Sequence, residues 1–115
     1  MRDEKCPAVY IITNKRYGTL YIGVTSGLWN RIWNHNNGTF DGFSKKYGLN
    51  FLVWYEHHPS MASAIHRETR LKKWMRSWKL NLINSFNPEW RDLHDEIDSN
   101  VNTVEEFASR KVLGD

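Results

Sequence analysis

One cysteine, Cys6, is all this 115-residue chain carries, so no intramolecular disulfide is possible and a disulfide-stapled scaffold is excluded. A reducing compartment follows as the simple reading, and a cytoplasmic location is the expectation. Long apolar runs are missing too. The longest, around Val9–Ile12 and Phe51–Tyr55, are far too short to span a bilayer. The first ten residues, MRDEKCPAVY, are charged and lack the apolar stretch of a signal peptide. The histidines at 35, 57, 58, 66 and 94 do not match zinc spacing, and one cysteine cannot make a finger. Neither GxxxxGK followed by Ser or Thr nor GxGxxG occurs, which removes the phosphate-cradling loops of those types. No internal repeat is present.

What the chain does have is aromatic residues, with six Trp, five Tyr and five Phe, enough for a core without staples. It also has an uneven charge. Residues 1–88 carry 13 basic and 5 acidic side chains, a balance of +8, and residues 89–115 carry 3 and 8, a balance of −5. The basic part suits an anionic partner, with phosphate backbones the obvious class; a solvated basic face is the plain alternative. The length fits one domain, placed at 1–97, with a polar, acidic tail at 98–115 that holds a capping-box pattern from Thr103.

Residues 8–14, AVYIITN, are rich in β-branched and aromatic types and predict a strand. Asn14 to Gly18 predicts a turn, with Gly18 free to take positive φ, and residues 19–24 the returning strand. Thr25 or Ser26 can cap a helix over Leu28–Asn36. A third strand is expected at 51–56 after an irregular polar stretch at 39–50. Ser60 is a plausible N-cap for a helix over 61–74, followed after a break by a helix over 76–85. Asn87-Pro88 suits the start of another short helical turn. The order predicts an α/β domain with a small three-stranded sheet.

In the hairpin, a loop at 15–18 pairs Ile12 with Tyr21 and Tyr10 with Gly23. Tyr10 and Tyr21 then become diagonal neighbours on one face, with Gly23 leaving open space beside the Tyr10 ring. Two phenols beside a glycine suit a small polar pocket, or simply two aromatics packing a strand. In the next helix Leu28 and Ile32 mark the apolar face, His35 continues it, and Arg31 neighbours His35. In the long helix Met61, Ala64, Ile65, Leu71, Met75 and Trp78 recur at three- and four-residue steps. Glu68 falls in the middle of that stripe, where a carboxylate needs a salt bridge or a metal ion. Arg67, Arg70, Lys72 and Lys73, interleaved with Trp74, offer backbone contact to nucleic acid, or form the outer face of an amphipathic helix.

Together these residues resemble the signature of the GIY-YIG nuclease family, and its small stand-alone YhbQ-like group in particular. Ala8-Val9-Tyr10 and Tyr21-Ile22-Gly23 stand for the two tripeptides, followed by Arg31, His35, Glu68 and Asn87. The resemblance spans about residues 7–93. It implies a central three-stranded antiparallel sheet flanked by helices. It also implies hydrolysis of a phosphodiester with one divalent cation, Mg2+ or Mn2+. DNA more than RNA, and a monomer, are the expectations for the chain's partner and state. By that resemblance Tyr10, Tyr21, Arg31, His35, Glu68 and Asn87 are the catalytic residues, with Glu68 the metal ligand. Gly23, Arg31, Arg67, Arg70, Lys72 and Lys73 are the expected nucleic-acid contacts. Ala8 replaces the first glycine, and Leu20 and Val24 stand where some relatives carry lysine. The second reading is a nucleic-acid-binding module with weak or no catalysis, acting with partner proteins.

Overall fold

The computed structural model describes residues 6–36 and 51–97, the side chains of 33–36 and 95 excepted. The expectations for 39–50 and for the tail at 98–115 lie outside the described residues. Strand β1 (Ala8–Thr13) is central, with β2 (Leu20–Thr25) antiparallel on one side and β3 (Phe51–His57) antiparallel on the other. Helix α1 (Leu28–Asn36) follows β2, and α2 (Met61–Lys72), α3 (Arg76–Phe86) and a 3-10 turn (His94–Glu96) follow β3.

Every residue of β1 is buried, because both faces of the sheet are covered. Ala8, Tyr10 and Ile12 pack toward α1 with Leu28, Ile32, Leu52, Leu93 and Ile97. Val9 and Ile11 pack on the other face with Ile22, Val53, Trp54, Ala64, Leu71 and Ile83. Val53 and Trp54 share a face although they are consecutive. The reason is a bulge: Ile11 pairs with Trp54 and Ile12 with Leu52, leaving Val53 as the extra residue.

The hairpin has the expected register, with Tyr10 opposite Gly23 and Ile12 opposite Tyr21. Its turn differs from expectation. Tyr17, at φ 58°, takes the left-handed position rather than Gly18. Gly18 is required for space instead, since a Cβ there would collide with the side-chain oxygen of Asn14, which accepts from Thr19 N at 3.0 Å. Arg76 clamps this turn to α3 by donating to the carbonyls of Tyr17 and Gly18 at 2.7 and 2.8 Å.

Ser60 caps α2 by accepting from Ser63 N. The apolar stripe expected along that helix is largely not its buried face. Met61, Ile65, Met75 and Trp78 are exposed, whereas Ala64 and Leu71 are fully buried. Ala64, Glu68 and Leu71, spaced four and three apart, share the face that packs on the sheet. After α3, residues 87–90 form a single hydrogen-bonded turn rather than a new helix, with Trp90 N donating to Asn87 O at 2.9 Å.

Candidate active site

Tyr10 lies on the α1 face of the central strand and its ring crosses the backbone of Gly23. A Cβ built on Gly23 would stand 2.5 Å from both Cζ and the hydroxyl oxygen of Tyr10. The space beside the ring is therefore not open, as the sequence suggested; the phenol fills it. Tyr21, two residues earlier on β2, presents its ring at 6.5 Å and a 45° tilt. Because β2 is an edge strand, the crossing carries the Tyr10 hydroxyl to the rim of the sheet.

Two charged groups act on that hydroxyl. Arg31, from α1, favours its ionisation, while Tyr21 and the Glu68 carboxylate oppose it. The largest effect is neither of these. Burial pushes the Tyr10 phenol well above its ordinary value near 10, so the group holds its proton across the physiological range. Glu68 sits on α2, which packs on the opposite face of the sheet, and its side chain is 13% exposed. Lys72, one helical turn on, places Nζ 2.7 Å from Glu68 Oε2. Of the two alternatives for this carboxylate, the ion pair is the one present.

The remaining expected residues divide. His35 continues α1, and its side chain lies outside the described residues. Asn87 is buried and its amide is committed to the fold. Nδ2 donates to Val53 O at 3.2 Å and to Arg91 O at 2.9 Å, and Oδ1 accepts from Arg91 N at 3.3 Å. The Val53 carbonyl belongs to the bulge residue, whose ladder partner is missing. With both amide protons taken, Asn87 has a structural role at the bulge. Arg67, expected as a nucleic-acid contact, is engaged within the fold. Its Nε donates to Glu56 Oε1 at 3.0 Å, and its guanidinium lies over the rings of Trp54 and Trp74 at 6.0 and 5.5 Å. Glu56 also binds His58 Nε2 at 2.7 Å, and His58 Nδ1 meets Ser63 Oγ at 3.1 Å. Sequence reasoning missed this network, although Glu56 at the end of an apolar strand was a carboxylate in need of a partner. Arg70 and Lys73 are exposed on or just beyond α2.

Residues 6–81 match the family model of the GIY-YIG catalytic domain. The chain belongs to the GIY-YIG family. Among its relatives, the UPF0213 protein CPE1444 of Clostridium perfringens is 39% identical over 77 residues, covering 67% of this chain and 82% of that one. The UPF0213 protein SSP2268 of Staphylococcus saprophyticus is 35% identical over 75 residues, covering 65% and 90%. The solution NMR structure of the UPF0213 protein BH0048 from Bacillus halodurans is similar at 25% identity, covering 76% of this chain and 92% of that one with a TM-score of 0.49. The GIY-YIG domain implies a nuclease-type function acting on nucleic acid, and nucleases of this family generally use divalent metal ions. The match takes in Tyr10, Tyr21, Gly23, Arg31, His35 and Glu68 and ends before Asn87.

No group of three or more His, Cys, Asp or Glu able to hold a metal occurs among the described residues. A single carboxylate such as Glu68, completed by water and phosphate oxygens, fits magnesium, which keeps most of its hydration. Leu20 and Val24, the two departures from lysine, pack half-buried in the apolar layer under α2 and α3, on the face away from the phenols. Their apolar character has a structural reason. No helix among the described residues is long and apolar enough to cross a membrane.

Proposed function

We propose that this chain is an endonuclease that hydrolyses phosphodiester bonds of nucleic acid, DNA by preference, with a single Mg2+ or Mn2+ ion. One observation carries the reading: the buried Tyr10 ring lies against Gly23 with the Tyr21 ring 6.5 Å away, and the charges of Arg31 and Glu68, from helices on the two faces of the sheet, act on its hydroxyl. Nothing in the packing of a small core calls for an arginine and a carboxylate beside a buried phenol, whereas a phosphate-cleaving site calls for all three.

Glu68 would hold the divalent ion, whose charge would polarise the phosphate and stabilise the leaving oxygen. Arg31 neutralises the charge that develops on the phosphate oxygens. The protonated Tyr10 hydroxyl orients the attacking water, accepting a hydrogen bond from it. It becomes a base only as positive charge gathers beside it, and Arg31 already works in that direction. Tyr21 hydrogen-bonds the nucleophile or a phosphate oxygen. His35 assists proton transfer or binds phosphate, and Arg70 and Lys73 contact the strand. Asn87 supports the site through the bulge. DNA is preferred because the enzymes whose catalytic modules the signature resembles cut DNA. The single cysteine fits a monomer working in the cytoplasm.

The test incubates the protein with labelled single-stranded, duplex and branched DNA and RNA in Mg2+, Mn2+ or EDTA. Internal scission that requires the metal is the expected result. Binding without scission on every substrate would replace the enzyme with a binding module.

A further inference from the structure

Helix α3 turns a broad apolar face outward. Trp78 is 51% exposed, and Met75, just before the helix, and Phe86, at its end, are exposed as well. Trp78 meets Trp74 edge-on, with ring centroids 5.9 Å apart. The two rings, with Asn81, Leu82 and Ser85, line an open groove of about 310 Å3. An exposed tryptophan stacked edge-on against a half-buried one is costly to leave in water and marks a binding surface.

The charge around it narrows the occupant. From Thr69 to Pro88 the chain has five cations, Arg70, Lys72, Lys73, Arg76 and Lys79, and no Asp or Glu. Lys72 is paired with Glu68 and Arg76 is held by the hairpin turn, which leaves exposed Arg70 and Lys73, and half-buried Lys79 donating to the Lys72 carbonyl at 3.4 Å, to meet an incoming anion. An apolar peptide would leave those cations unanswered. A nucleobase joined to phosphates answers both features: its faces stack on the indoles, its polar edge meets the Asn81 amide and the Ser85 hydroxyl, and its phosphates meet the cations.

We propose that the groove at Trp74 and Trp78 is a stacking site for an unpaired base of the nucleic-acid strand. It rests on the reading of the chain as a nucleic-acid enzyme and adds a second contact outside the Tyr10 site. The two are physically joined, since Arg67 lies over the Trp74 ring at 5.5 Å and is followed directly by Glu68. A base inside a duplex hides its faces in the stack, so the groove grips only strands that expose them.

Fluorescence anisotropy of the full chain with labelled 12-mers decides it, using a single strand, its abasic counterpart and a duplex. Trp78→Ala is expected to lower single-strand affinity roughly tenfold while leaving the abasic strand and the duplex unchanged. Trp78→Phe should restore most of the loss, and both variants should melt with the wild type. Unchanged single-strand affinity in Trp78→Ala, or an equal loss on the abasic strand, overturns the stacking site and leaves the nuclease reading intact. Concentration-dependent self-association abolished by Trp78→Ala would assign the groove to a second copy instead. Absence of all nucleic-acid binding by the wild type would overturn both.

Discussion

The Tyr10 hydroxyl occupies the place where a side chain on Gly23 would begin, 2.5 Å from a Cβ built there. A glycine on the edge strand therefore determines where the phenol of the central strand can lie. Gly23→Ala must push the ring away from the rim of β2. The expected outcome is a cleavage rate at least about 100-fold lower, since displacements near 1 Å are enough for that. The stability cost should stay at about 1–3 kcal/mol, as for other overpacked sites. Cleavage kinetics beside a thermal melt check both. A rate close to wild type would mean the position of Tyr10 does not matter.

Burial raises the Tyr10 pKa above its unfolded value. A raised folded value means stability is fully present below the unfolded pKa, near 10, and is lost as pH climbs above it. Melting temperature should therefore fall more steeply from pH 9 to 11 in the wild type than in Tyr10→Phe. Ultraviolet titration of the five tyrosines should show one that resists ionisation. Parallel melting curves for the two proteins would contradict the burial of this group.

Lys72 holds the carboxylate proposed as the metal ligand, at 2.7 Å and with 53% of its own side chain exposed. A cation in that place competes with the ion. Lys72→Met is expected to bind Mn2+ about two- to fivefold more tightly, a small gain because exposed pairs are worth little. Electron paramagnetic resonance of Mn2+ with the free protein measures it. Weaker binding would make Lys72 a supporting residue of the metal site.

Asn87→Ala should destabilise by about 1–3 kcal/mol, because the carbonyls of Val53 and Arg91 lose their buried donor. That corresponds to a melting temperature lower by roughly 4 °C or more. Activity per folded molecule should stay near wild type. A large loss of turnover at unchanged stability would return Asn87 to the catalytic set.

Much of this was legible in the sequence. The hairpin register followed from period-2 alternation and a turn of fixed length, so Tyr10, Tyr21 and Gly23 fell together before any coordinates. Ser60 announced α2 through its capping chemistry. The buried face of α2 was not legible, because Met61, Ile65, Met75 and Trp78 keep helical spacing as faithfully as Ala64 and Leu71 do. Only the docking onto β1 and β2 separates the two sets, and it turns the larger side chains outward. The bulge at Val53 was equally hidden, since nothing local demands it, and with it went the structural use of Asn87. Arg67 looked like one cation of a basic helix until Glu56 and two tryptophans closed on it.

The central claim is that Glu68 and Tyr10 serve one metal-assisted site. Single-turnover cleavage by Glu68→Gln against the wild type, across Mg2+ or Mn2+ concentration, tests it most directly. The account predicts a rate lower by about 100-fold or more that excess metal does not fully restore, with fold and nucleic-acid binding retained. A variant that cleaves at the wild-type rate with the wild-type metal dependence would contradict it.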